Sequence, residues 1–146
     1  MKLRDILKEK GSEVYSVDPE ATVAEAINIM VEKNIGSVVV MKGDRPVGIF
    51  TERDLLRRVC AGCSKDPAKT KVKEVMTSGV IYGAPDDDIQ YAINVMTQHR
   101  IRHLPILENG RLVGIISIGD VLKQQYKEIE FENRVLKNYI SESYPG

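Results

Sequence analysis

The sequence is short of what a metal centre, a redox pair or a membrane span requires. Of its 146 residues only two are cysteines and two are histidines. Cys60 and Cys63 form one CxxC, half of a four-ligand zinc site, and His99 and His103 are the only imidazoles that could complete it. A thioredoxin-like pair would need the cysteines at a helix start after a strand. The plainer alternative is two thiols in a connecting segment. No apolar run approaches the roughly 18 to 20 residues of a membrane span, and residues 1–10 mix charge with apolar side chains. The expectation is a soluble cytoplasmic protein without membrane contact. An excess of one charge is also missing: 21 Lys and Arg balance 21 Asp and Glu. Without a long-range field to draw the molecule onto nucleic acid, any anion site has to be local. Catalytic sets are absent as well, with no nucleophile beside a base and no P-loop, and Asp86-Asp87-Asp88 reads as charge complementing the start of the following helix. An enzyme is not expected.

What the sequence does contain is a repeat. With 42% hydrophobic and 29% charged residues, it can bury one compact core or two small ones fused across an interface. Pro19 falls on Pro85 at a shift of 66 residues, and that shift holds without a gap to Leu56 and Leu122. Under it Ala26, Ile27, Asn28 and Met30 meet Ala92, Ile93, Asn94 and Met96, and Val47, Gly48 and Ile49 meet Val113, Gly114 and Ile115. Upstream, KLRDIL at 2–7 resembles KVKEVM at 71–76 at a shift of 69, so the first copy carries three extra residues around 8–12.

Each copy reads as helix, strand, strand, helix. Thr22 and Glu25 form a capping box above an apolar stripe of Val23, Ala26, Ile27 and Met30; Asp88 is the expected cap above Ile89, Ala92, Ile93 and Met96. Strands are expected at 37–41 and 46–50, and at 104–107 and 112–116 across the hairpin signal Asn109-Gly110. Helices follow at 52–59 and after Gly119. Neither half can cover both faces of a three-stranded sheet, so the two should pack with pseudo-two-fold symmetry and leave two equivalent clefts. The last helix is expected from 120 to about 140, with Leu122, Tyr126, Ile129, Val135, Leu136 and Tyr139 roughly on one side. It either covers its own domain or forms a dimer contact.

Two heptads stand at matching places, Gly48 to Asp54 and Gly114 to Asp120, both G-x-x-S/T-x-x-D. The hydroxyl of Thr51 or Ser117 falls where a strand becomes a helix. There it can cap free amides, and those amides can also receive a phosphate. Asp54 and Asp120 lie one turn on, where a carboxylate either complements the helix start or accepts two hydrogen bonds from a ribose diol. Between helix and hairpin the copies diverge: Arg102 and His103 stand where the first copy has Gly36 and Ser37. A guanidinium beside an imidazole can bind phosphate, or can simply be a surface arginine and a half-buried histidine.

The doubled heptad, the RHLPI segment and KVKEVM resemble the CBS motif in its paired form, the Bateman module, over nearly the whole chain from Leu3 to about Leu122. The resemblance implies an α/β (α+β) fold of two βαββα motifs, taken here as 1–65 and 66–124, with a helical extension over 125–146. KVKEVM would be a leading strand near the cleft shared with the other copy. It also implies a regulatory rather than catalytic role, with AMP, ADP or ATP, less often S-adenosylmethionine or NADH, bound between the motifs. Asp54 and Asp120 would hold ribose hydroxyls, Thr51 and Ser117 would touch ribose or phosphate, and Arg102 and His103 would take phosphate. Backbone near Ser16 and Val17, or Val80 and Ile81, would meet adenine. Gly36 and Ser37 depart from the basic pair, so the cleft with Arg102 and His103 is expected to be tighter for phosphorylated ligands. The partners expected are a second copy in a homodimer and a regulated protein that the sequence does not identify. The rival reading is a structural interaction module whose clefts stay empty, with the segment around Cys60 and Cys63 as a contact.

Overall fold

The computed structural model describes residues 1–61 and 65–143, with side chains as far as Asn138. The repeat is visible bond by bond. Helix α2 (Val23–Lys33) starts on the expected capping box: Thr22 Oγ1 accepts from the Glu25 amide and the Glu25 carboxylate accepts from the Thr22 amide, each at 3.2 Å. It buries Val23, Ala26 and Met30 and ends at Asn34 in the left-handed region. Helix α5 (Ile89–His99) buries Ile89, Ala92 and Met96 and ends the same way at Arg100. Strands β2 (Ser37–Lys42) and β3 (Arg45–Thr51) form one antiparallel hairpin; β4 (His103–Glu108) and β5 (Arg111–Ser117) form the other. Register shifts fall at matching places, Val40/Met41 and Ile106/Leu107. Asn109 and Gly110 both have positive φ, as a two-residue primed turn demands.

The third strand differs between the halves. In the first, β1 (Ser16–Val17) pairs parallel to β2, with Val17 opposite Val40. In the second, the matching position is a single bridge from Gly83 to Ile106, so the expected third strand is reduced to one residue. A Cβ on Gly83 would lie 3.0 Å from Ile106 and Leu104 side chains, and Pro85 soon follows without an amide to donate.

The leading strand expected at KVKEVM is instead a helix, α4 (Val72–Val75), and KLRDIL opens helix α1 (Leu3–Lys10). The apolar spacing decides it: Leu3, Ile6 and Leu7, like Val72 and Val75, recur at helical intervals. Each helix start is also fixed by a carboxylate, with Asp5 accepting from the Lys2 amide at 3.0 Å and Glu74 from the Lys71 amide at 2.7 Å. These helices cross over. Leu3, Ile6 and Leu7 join the core of the second half with Ile89, Met96, Leu104 and Ile116, whereas Val72 and Val75 join that of the first with Val23, Met30, Val38 and Phe50. Asp88 occupies the cap position of α5 without a capping bond; its carboxylate lies 3.8 Å from the Met1 amino terminus, while the Met1 carbonyl accepts from the Ile89 amide at 3.1 Å.

Gly48 and Gly114 make the crossing possible. A Cβ at Gly114 would lie 2.5 Å from Leu7 Cδ2; one at Gly48 would lie 2.6 Å from Met76 Sδ and 2.9 Å from the Thr77 carbonyl. The glycine of the doubled heptad thus lets the other copy's leading segment pack on β3 or β5.

After β3 the chain turns into α3 (Glu52–Asp54), which widens at once into a π-helical turn, Leu55–Cys60. The corresponding segment of the second copy is a regular helix, α6 (Ile118–Ser143), which buries Val121 and then runs on beyond the core. No helix among the described residues is long and apolar enough to cross a membrane. Cys60 is exposed, and Cys63 lies outside the described residues, as do the side chain of Tyr139 and its place on the apolar face.

Candidate ligand clefts

Two cavities lie between the halves, each built from the heptad of one copy and the strand start of the other. The first, about 390 Å³, brings together Thr51 and Asp54 with Arg102 and His103. The second, about 490 Å³, brings together Ser117 and Asp120 with Gly36 and Ser37. Size does not distinguish them, but charge does.

The first is an arginine cleft. Arg53, Arg57, Arg58, Arg100 and Arg102 line it with His99 and His103, against only Glu52 and Asp54. Arg58 is committed to the fold, donating to the Met76 carbonyl at 2.7 Å, and Arg53 donates to the Arg100 carbonyl at 2.7 Å. The guanidinium groups of Arg57, Arg100 and Arg102 have no hydrogen-bond partner among the described residues. Asp54 is 5% exposed and accepts three bonds, one oxygen from the Thr51 amide and hydroxyl and the other from the Thr77 hydroxyl at 3.0 Å, which leaves acceptor capacity on the second oxygen. Capping is therefore present at this heptad whatever else its carboxylate does.

The second is a lysine cleft. Ser117 and Asp120 repeat the capping exchange, with the carboxylate accepting from the Ser117 amide at 2.9 Å. The same oxygen accepts from Lys10 Nζ at 2.6 Å, and Lys10 also donates to the Ile115 carbonyl at 2.8 Å. Burial works against the charge of Asp120, but the bonds from Lys10 and Ser117 outweigh it and hold the carboxyl below its ordinary range. Lys10 comes from the part of α1 that the shorter α4 lacks, so the three extra residues of the first repeat deliver a cation to one cleft only.

Gly36 and His103 line both cavities. A Cβ at Gly36 would sit 3.3 Å from His103 Nε2 and 3.4 Å from the Glu52 carboxyl, so glycine leaves the imidazole its room. Burial lowers the pKa of His103, with Lys10 and Arg102 adding to the effect and Glu52 and Asp120 opposing it.

The segments expected near adenine reach the clefts to different extents. Val14 and Tyr15 line the lysine cleft, while Ser16 and Val17 form β1; Thr77 lines the arginine cleft, while Val80 and Ile81 line neither, and Ile81 packs on the second core. Sequence reasoning missed Lys10, Thr77, Arg53, Arg57 and Arg58. Arg57 and Arg58 stand three and four residues after Asp54, a helical spacing that was enough to place them beside it. Nothing local marks Thr77, because the crossing of α4 brings it in.

Comparison with known proteins agrees with this architecture. The CBS-domain profile matches residues 3–61 and 72–127. The mitochondrial CBS domain-containing protein CBSX3 of Arabidopsis thaliana is 32% identical over 151 residues, spanning 97% of this chain and 73% of its own length. A solved CBS-domain containing protein from Agrobacterium tumefaciens is 39% identical, with a TM-score of 0.82 over 86% of this chain and 99% of that one. A CBS domain protein from Pyrobaculum aerophilum, solved as a complex with AMP, is 27% identical, with a TM-score of 0.73 over 82% of this chain and 89% of its own. Two matched halves, two profile matches and one shared fold place this chain in the CBS-domain family, as a tandem pair of CBS domains.

Proposed function

We propose that the chain is a non-catalytic, adenine-nucleotide-sensing module whose arginine cleft takes the phosphorylated ligand. The observation that carries this reading is the set of three arginines lining this cleft, Arg57, Arg100 and Arg102, whose guanidinium groups have no hydrogen-bond partner among the described residues. Guanidinium forks match phosphate oxygens, whereas the amides of Thr51, Glu52 and Asp54 at the helix start are already bonded within the protein, so the arginines carry the anion. Asp54 and Asp120 would hold ribose hydroxyls, with Thr51 and Ser117 beside ribose or phosphate. Adenine would lie against the backbone at 14–17 in the lysine cleft or 77–81 in the arginine cleft. Ser37 offers a hydroxyl in the lysine cleft, where Lys10 must release Asp120 before a ribose can take its place. Support for the ligand class comes from the AMP complex of the Pyrobaculum relative. AMP, ADP and ATP all satisfy the chemistry; S-adenosylmethionine, a cation, suits the arginine cleft least.

Occupancy would shift the angle between the halves and so alter a regulated partner. The module would act as a homodimer, since α6 continues past the core with Leu122, Tyr126, Ile129 and Leu136 exposed. Thermal unfolding with and without ligand tests the reading. AMP at about a thousand times its Kd should add about 4 kcal/mol of stability and raise Tm. An unchanged Tm with AMP, ADP and ATP at millimolar concentration would instead favour a structural module with empty clefts.

A further inference from the structure

The exposed face of α6 has a second periodicity. Leu122, Tyr126, Ile129, Asn133 and Leu136 follow one another at intervals of four, three, four and three residues, the a/d spacing of a two-stranded coiled coil, on a face that the core does not cover. The four apolar members are between 50% and 67% exposed. Val121 and Gln124, which are buried, mark the side that packs on the core, and the seam lies about a third of a turn away from it. In heptad terms Tyr126 and Asn133 take a positions; Leu122, Ile129 and Leu136 take d positions. A single asparagine at an a position is the residue that fixes alignment in parallel dimers, because each amide finds its partner only when the two chains are in step.

The charges select the same arrangement. Glu132 falls at a g position and Lys137 at the e position five residues on. In a parallel pair Glu132 of each chain therefore faces Lys137 of the other, giving two attractive contacts per dimer. Resting on the reading that the chain self-associates, we propose that α6 pairs with α6 of a second copy as a parallel, in-register coiled coil aligned by Asn133. Phe131 and Val135 lie off this seam and are not covered by it. From Leu122 to Leu136 the seam spans only about two heptads, so it supplements contacts between the globular parts and fixes their relative orientation.

Site-directed cross-linking of the full chain is the test, in a background with Cys60→Ser and Cys63→Ser. Under mild oxidation Asn133→Cys should give a covalent dimer, and Arg134→Cys, one position off the seam, should not. The Lys137→Glu variant should weaken dimerisation about tenfold by sedimentation, and Glu132→Lys combined with Lys137→Glu should restore it. A native dimer in which Asn133→Cys does not cross-link, or in which the charge swap fails to restore association, overturns the seam while leaving self-association intact. A monomer at micromolar concentration overturns both.

Discussion

The two clefts come from one repeated design, and their differences arise from a few side chains. Both have a capped hydroxyl and carboxylate at the start of a helix, and both are roofed by a segment of the other copy. In one, that roof supplies a hydroxyl, Thr77, to the carboxylate; in the other it supplies a cation, Lys10. Across the cleft, the strand start offers Arg102 in one and Gly36 in the other. One site carries guanidinium groups that have no partner among the described residues, while in the other the carboxylate already has a positive partner. Duplication preserved the frame, and changes at the strand start and in the length of α1 gave the clefts different chemistry.

The largest effect is expected where the frame itself is tightest. Gly48→Ala forces a Cβ against the Thr77 backbone, which cannot step aside, whereas Gly114→Ala meets only the Leu7 side chain. By urea unfolding, Gly48→Ala should cost about 2–3 kcal/mol and Gly114→Ala about 1–2 kcal/mol. Equal costs would mean that the two crossings are equally pliable.

The carboxylates come next. Removing Asp54 leaves the Thr51 amide and the Thr77 hydroxyl without their acceptor in a buried setting, so Asp54→Ala should cost about 2 kcal/mol of stability, against about 1 kcal/mol for the less buried Asp120→Ala. Each should also weaken an adenosine ligand in its own cleft by about 1.5–3 kcal/mol in calorimetry.

A difference in pH response should isolate the part played by His103, which lines both clefts. Burial lowers the pKa of His103, so it is neutral in the free protein, and its protonation below the ordinary histidine value near 6.5 costs stability. A bound phosphate would reverse that preference. Affinity for AMP should therefore gain more on going from pH 7.5 to 6 in the wild type than in His103→Gln, which removes the imidazole and leaves the phosphate's own titration as the shared background. Identical pH profiles would take His103 out of the phosphate site.

The smallest effect is expected at the Lys10 bond. The pair is partly exposed, so Lys10→Met should cost only about 0.5–1 kcal/mol. Because the carboxyl of Asp120 is held below its ordinary value of 3.8, its stabilising contribution is present above that value and is lost as pH falls through the lowered one. Lys10→Met should shrink that acid-side loss in pH-dependent unfolding, while Arg57→Met, in the other cleft, should leave it unchanged.

Much of this frame is legible in the sequence because its causes are local. The capping box at Thr22, the hairpin at Asn109-Gly110 and the doubled heptad each carry their own signal at short range, and the structure realises all three. What could not be read is what depends on crossing. The strand at KVKEVM is what the family resemblance implies; the spacing of Val72 and Val75 is itself helical, whereas the packing of that helix on the first half's core depends on the exchange of α1 and α4. The same exchange places Thr77 and Lys10 at carboxylates 23 and 110 residues away, distances at which no motif operates. The single-bridge remnant at Gly83 shows the converse case, a local glycine trimming a strand that the repeat alone would predict.

The central claim, that phosphate is held in the arginine cleft by Arg102 and His103 with the neighbouring arginines, is tested most directly by titrating AMP and adenosine into the wild type and into Arg102→Ala, His103→Ala by calorimetry. The wild type should prefer AMP by about 1.5–3 kcal/mol at low salt, with the preference shrinking as salt rises. In the double variant the discrimination should collapse at one site only, while adenosine affinity stays nearly unchanged. If the double variant prefers AMP as strongly as the wild type does, the phosphate is held elsewhere and the assignment of the arginine cleft is wrong.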